Sequence, residues 1–214
     1  MKWNFTRWSC LVEALAFTAY IAWYIWKLQI MVMRVWWVIP VWLVLSFLLR
    51  RDTTKTLGWR ADNLWRATKR TLWFVVPASL LICGGGLFLG MLHRLPEHLI
   101  EPRRFAGYFA FCLLQQVGLN SLVTNRLMSA FQKPLPAAIV AGLIFGVLHW
   151  PNPVLVPLTA IGGFALSYLF ATERNILPLT LVQALLGALV WWAFPLAWHH
   201  SMRVGPGYGE FHMK

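Results

Sequence analysis

Carboxylates are scarce in this chain, which has 7 Asp and Glu against 19 Lys and Arg in 214 residues. Cysteine is rarer still. Cys10, Cys83 and Cys112 lie in or beside apolar runs, are odd in number and show no C-x-x-C spacing, which excludes a disulfide framework and a zinc finger. Charged residues of both signs make up only 12 %, about half the share of a soluble domain. Internal repeats and flexible linkers are also missing, so residues 1–214 read as a single integral membrane domain.

What the chain has in abundance is apolar surface: 59 % hydrophobic residues and a mean hydropathy of +0.60. Runs approaching the length a bilayer core requires, about 20 residues, fall at 9–26, 30–49, 71–92, 105–130, 137–150, 154–171 and 176–195. The expectation is an all-α polytopic transmembrane bundle of about seven spans. The fifth run is short and bracketed by Pro134, Pro136, Pro151 and Pro153, so it is expected to tilt or to merge with its neighbour. Lys2 and Arg7 precede a long first run without a persuasive small-x-small site, which reads as a retained helix and not a cleaved signal. Many of the 14 tryptophans, among them Trp23, Trp26, Trp36, Trp37, Trp150 and Trp198, sit near span ends, as aromatic belts do.

A net charge of +12 in a soluble protein would raise nucleic acid as a partner, but base-reading folds need a soluble scaffold that this composition lacks. The largest basic cluster, residues 50–70, instead reads as a cytoplasmic loop by the positive-inside rule. Seven crossings with a cytoplasmic N-terminus put 12 of the 19 basic residues inside and 7 outside. Trp59, Leu64 and Trp65 alternate with Arg60, Arg66, Lys69 and Arg70, a pattern suited to an anionic headgroup layer. The lipid bilayer is therefore the expected partner, and nucleic acid is not.

Polar residues four apart recur in three apolar spans: Gln116 with Asn120, His149 four after Phe145, and Gln183 four before Gly187, with Gln115 adjoining the first pair. Polar groups inside a span usually face a bundle interior or cavity, so these sketch a buried site. Adjacent glutamines also serve simply as interhelical hydrogen-bonding groups, and a histidine before Trp150 and Pro151 is ordinary at a helix end; both readings stand. No carboxylate joins them. Asp52, Asp62, Glu97, Glu101, Glu173 and Glu210 read as loop or tail residues, and Glu13, within the first span, lies near enough to its start to reach the interface. His199 and His200 diverge on a helix and have no acidic residue nearby, so no metal site is expected. Gly84-Gly85-Gly86 lies within an apolar helix, where close helix packing is the expectation.

The order of these pairs, Gln115-Gln116-x-x-x-Asn120, Phe145-x-x-x-His149 and Gln183-x-x-x-Gly187, with nearly equal intervals between them, resembles the CPBP family, the CAAX-prenyl-protease-like or Abi-type membrane proteins. Gly162-Gly163 and Asn175-Ile176-Leu177-Pro178 add to the likeness, which spans about residues 105–195. The family's signatures are Glu-Glu-x-x-x-Arg, Phe-x-x-x-His and His-x-x-x-Asn, and only the second is intact here. The resemblance implies a multi-pass protein of the bacterial inner membrane. It implies a glutamate-dependent intramembrane endopeptidase in which Gln115, Gln116, Asn120, His149 and Gln183 hold the catalytic positions, without cofactor or metal. Glutamine has no titratable site near neutral pH and cannot act as general base. The expected function is therefore that of a silent or divergent relative, a pseudoenzyme that binds a membrane peptide, lipid or partner protein in a polar cavity. The alternative is an active hydrolase using His149. A transporter would need a continuous polar path, which the few scattered polar groups do not supply.

Overall fold

A computed structural model describes residues 5–28, 31, 33–88 and 102–210, which form helices and turns with no strand among them. Lys2, Glu97, Glu101, the end of the third apolar run and the tail Phe211–Lys214 lie outside the described residues. Helix α1 is Phe5–Trp23, continued by a π-turn over Tyr24–Leu28. A 3-10 segment, Met33–Trp37, leads into α2, Val38–Arg50, and α3 is the single turn Thr54–Leu57. Then follow α4, Leu64–Phe88, α5, Pro102–Gln116, and, after a π-helical stretch, α6, Asn125–Phe131. The last long elements are α7, Pro134–Val147, α8, Leu155–Glu173, and α9, Ile176–Ala193, with short turns α10, Leu196–His199, and α11, Pro206–Gly209.

Five stretches, Phe5–Leu28, Leu64–Phe88, Arg103–Phe131, Leu155–Glu173 and Ile176–Ala193, are long and apolar enough to cross a bilayer, which marks an integral membrane protein. Val35–Arg50 and Pro134–Val147 are apolar but shorter. Each predicted run thus has its helix, though two fall below full crossing length. Large side chains such as Leu49, Trp73, Leu81 and Phe88 project outward, an arrangement suited to hydrocarbon and not to water.

Local signals explain the boundaries. Pro134 starts α7, where its missing N–H is one that no helical carbonyl would have taken. Asn175 caps α9 by accepting from the Leu177 N–H at 3.2 Å. Arg51, Gln132 and Arg174 adopt left-handed conformations that close the helices before them. α7 ends at Val147 and α8 begins at Leu155, so these helices are separate and do not merge; the turn between them carries a cis Trp150–Pro151 bond.

The tightest helix pair is α7 against α8, built on glycine. A Cβ at Gly142 would stand 2.6 Å from the Phe164 nitrogen, and one at Gly146 2.8 Å from Ala160 Cβ. Such small-residue seams replace the hydrophobic drive that lipid removes. Gly84 and Gly85 were expected to pack closely as well, but nothing lies within 4 Å of a Cβ at either, and of the triplet only Gly86 is buried. These two glycines face outward because α4 contacts its neighbours on the other side of its surface.

Charge collects at one end of the bundle. The 50–70 cluster is a true loop only from Arg51 to Asn63, because α4 begins at Leu64. This loop folds back onto the helix ends: Asn175 Nδ2 donates to Arg60 O at 2.8 Å, Ile176 N to Gly58 O at 2.9 Å, and Ser121 Oγ to Leu57 O at 2.6 Å. Gly58, at φ +85°, lies so near the Phe170 ring that a Cβ would come within 2.7 Å of it. One acidic residue differs from its sequence reading: Glu173 ends α8 instead of lying in a loop, is buried, and pairs with Arg66 at 2.8 Å and with Arg70. Asp52 is in the loop, as expected, and accepts from buried Arg126 at 2.6 Å. Glu13 faces this same charged end, where it accepts from Arg126 at 3.1 Å and Arg50 at 3.0 Å, and Ser46 donates to it. A guanidinium beside a half-buried carboxylate supplies what burial takes from its hydration. Arg174, at the same end, donates to Asn125 and Thr56, and burial pulls its pKa below the ordinary arginine value.

Candidate functional site

The site is organised by an irregular stretch of backbone. Between α5 and α6 the chain runs as a π-helix over Val117–Thr124, in which Gly118–Thr124 are all buried. Wide turns of this kind are rare and concentrate at functional sites. Thr124 Oγ1 donates to the Leu119 carbonyl five residues back at 2.9 Å, and also to Asn120 Oδ1 at 3.0 Å.

From Thr124 a directed chain of side-chain hydrogen bonds runs across two helices. Asn120 Nδ2 donates to Gln116 Oε1 at 2.6 Å, Gln116 Nε2 to Gln183 Oε1 at 2.5 Å, and Gln183 Nε2 to Gln115 Oε1 at 2.6 Å. Gln116 and Asn120 are fully buried, whereas Gln115 and Gln183 are half-buried. Every amide oxygen in the chain is used, and the series ends on the Gln115 NH2 group, to which no acceptor among the described residues is bonded. Charge polarisation along such a series strengthens each bond.

Gln115 and Gln183 line a cavity of about 450 Å³ enclosed by α4, α5, α8 and α9 and closed at one end by Phe145, His149 and Met202. His149 lies just past the end of α7, with its ring edge-on to Phe145 at a centroid distance of 4.7 Å. Its Nδ1 is 2.7 Å from the Phe145 carbonyl. A carbonyl only accepts, so Nδ1 carries the proton and Nε2 is the lone-pair nitrogen of the neutral ring. No hydrogen bond joins His149 to the amides among the described residues.

The structure thus brings Gln115, Gln183 and His149 to one cavity, with Gln116 and Asn120 behind its wall. Gly187 lies beside them on α9 and is covered by Tyr108 of α5, which also lines the cavity. Among the described residues, neither Glu13 nor any other acid, nor any Lys or Arg, lines the cavity. His199 is buried away from this cavity against Trp191, with its Nδ1 accepting from the Met202 N–H at 3.3 Å. Among the described residues no group of three His, Cys, Asp or Glu is placed to hold a metal ion.

Two features escaped the sequence reading. Tyr108 stands seven residues before Gln115, two turns away on the same helix face, and that spacing was a signal for it. The π-stretch has only Gly118 as a local mark, and a lone glycine inside an apolar helix is too common to indicate it. No family model matches this chain, and neither a curated protein nor a solved structure matches it.

Proposed function

We propose that this chain is a seven-crossing protein of the bacterial inner membrane on a CPBP-type scaffold. Its intramembrane cavity binds a membrane peptide, lipid or partner protein, and the peptidase chemistry of that scaffold is lost. The observation that carries this reading is the amide chain Gln115–Gln183–Gln116–Asn120 in the wall of a cavity that, among the described residues, no carboxylate lines. Amides bind carbonyls and N–H groups but take no proton from water near neutral pH. Losing a positioned general base is typically worth about 10²- to 10⁴-fold in rate. The nearest candidates to replace it are engaged elsewhere: Glu13 and Asp52 with Arg126, Glu173 with Arg66 and Arg70.

The contacts between helix ends support that crossing number and orientation. Arg50 of α2 reaches Ser9 of α1, Arg126 of α6 reaches Asp52, and Asn63 before α4 reaches the Glu173 carbonyl of α8, all at the basic end. At the other end Gly205 N donates to Trp150 O, and Asn152 to His199 O. Antiparallel alternation through all seven helices fits those contacts, with the basic end and the N-terminus cytoplasmic.

A second reading, an active divergent hydrolase, is favoured by one observation: the Nε2 lone pair of His149, on a residue that lines the cavity. Purified protein incubated with prenylated and unmodified peptides separates the two. Cleavage no faster than in a His149→Ala control supports the silent reading. Turnover abolished by His149→Ala establishes the hydrolase instead, and turnover abolished by Glu13→Gln would move the base to α1.

A further inference from the structure

We infer that the cavity takes one uncharged single-chain lipid, entering from the hydrocarbon side, whose head carries a carbonyl together with an N–H or O–H. This rests on the cavity reading above and narrows its occupant.

Access comes first. Leu81 of α4, Phe111 of α5 and Ile161 of α8 all line the cavity, yet each is strongly exposed on the outer surface of the bundle. Its mouth therefore opens sideways between apolar helices, toward bilayer and not toward water. A ligand arriving by that route is already dissolved in hydrocarbon.

A membrane helix arrives with its backbone groups already paired, so its main chain offers no acceptor to the Gln115 NH2. A slender acyl chain with an open carbonyl does, and it passes between the helices from the side.

Charge then selects the head. Among the described residues the lining has no Lys, Arg, Asp or Glu. A phosphate, carboxylate or ammonium would be buried without a counter-ion, a heavy desolvation penalty. Only neutral polarity is matched. Gln115, whose NH2 ends the directed amide chain, and His149, whose Nε2 is the accepting nitrogen of the neutral ring, both line the cavity. A head with an accepting carbonyl and a donating N–H or O–H answers both, and the buried groups behind Gln115 hold its amide in that orientation.

The test is native mass spectrometry of the full chain in mild detergent, titrated with oleamide, headless 1-octadecene and anionic oleyl phosphate. Oleamide should bind at least tenfold more tightly than either of the others. Gln115→Leu should reduce that preference about tenfold. Gly162→Leu should abolish binding of all three, because residue 162 lines the cavity and a Cβ there meets nothing within 4 Å, so the variant plugs the space without disturbing the fold. Oleamide bound no better than 1-octadecene, or unchanged by both substitutions, overturns the inference. If oleamide fails but a photo-crosslinker at residue 162 captures polypeptide within the cavity, the lipid assignment is overturned and the broader binding role stands. Capture of neither lipid nor polypeptide overturns both.

Discussion

The Tyr108 hydroxyl lies against Gly187 so closely that any Cβ at 187 would overlap it. Position 187 is a glycine, and a phenol from α5 fills the volume beside it. A side-chain amide at 187 and the Tyr108 ring cannot both occupy this corner of the cavity. The glycine at 187 and the tyrosine at 108 are one structural fact.

That relationship predicts strong coupling. Gly187→Ala should destabilise the protein by about 1–3 kcal/mol, the usual penalty of overpacking, and lower its melting temperature in detergent by several degrees. In a Tyr108→Phe background, where the hydroxyl is gone, the same substitution should be milder by about 1 kcal/mol. Equal penalties in both backgrounds would show that the two residues do not compete for space.

Gln116 is the middle of the amide chain, donating to Gln183 and accepting from Asn120. Gln116→Leu keeps the volume and removes both bonds, leaving two polar atoms unpaired. Interhelical hydrogen bonds in membranes average about 0.6 kcal/mol and a stranded buried group about 1–3 kcal/mol. The variant should therefore insert and fold with a modestly lowered melting temperature, yet lose ligand or partner binding. Retained binding would reduce the glutamines to helix-packing groups.

Arg126 should be the most sensitive charged position. Its guanidinium is shared by Glu13, Asp52 and Ser46, and its side chain is almost fully buried. Arg126→Met takes the buried guanidinium from Asp52 and leaves Glu13 with Arg50 and Ser46 alone, a loss of about 3–5 kcal/mol for a broken buried pair, and should sharply reduce the amount of folded protein recovered from membranes. Adding Glu13→Gln and Asp52→Asn should restore most of it. A triple variant no better than the single one would mean that packing around the arginine, and not charge, sets the stability.

The glycines provide an internal control. Gly142→Ala drives a Cβ into the α8 backbone at Phe164 and Ala160 and should force α7 and α8 apart, with a marked fall in melting temperature. Gly85→Ala meets open space and should be neutral or raise stability by up to about 1 kcal/mol through helix propensity. Similar thermal shifts for both would contradict the assigned seam.

Some of this was legible in the chain alone. Apolar runs located the helices, because the membrane demands a continuous apolar length and the chain has little else, although α2 begins at Val38 and not at 30, and α4 at Leu64 and not at 71. Gln116 and Asn120 were readable as one unit, since residues four apart share a helix face whatever surrounds them. The same rule reached Gln183 and His149 as candidates, but not how they meet. Contacts across the bundle were decided only by tertiary structure. That Glu13 meets Arg126, 113 residues away, could not be read from either segment. Gly84 and Gly85 looked like packing residues until Gly142 and Gly146 proved to form the seam. Tyr108 carried no meaning until it was found over Gly187. Periodicity along a helix is set by backbone geometry and can be counted. The rotation and depth of each helix against the others depend on how all the side chains pack together, and no local pattern encodes that.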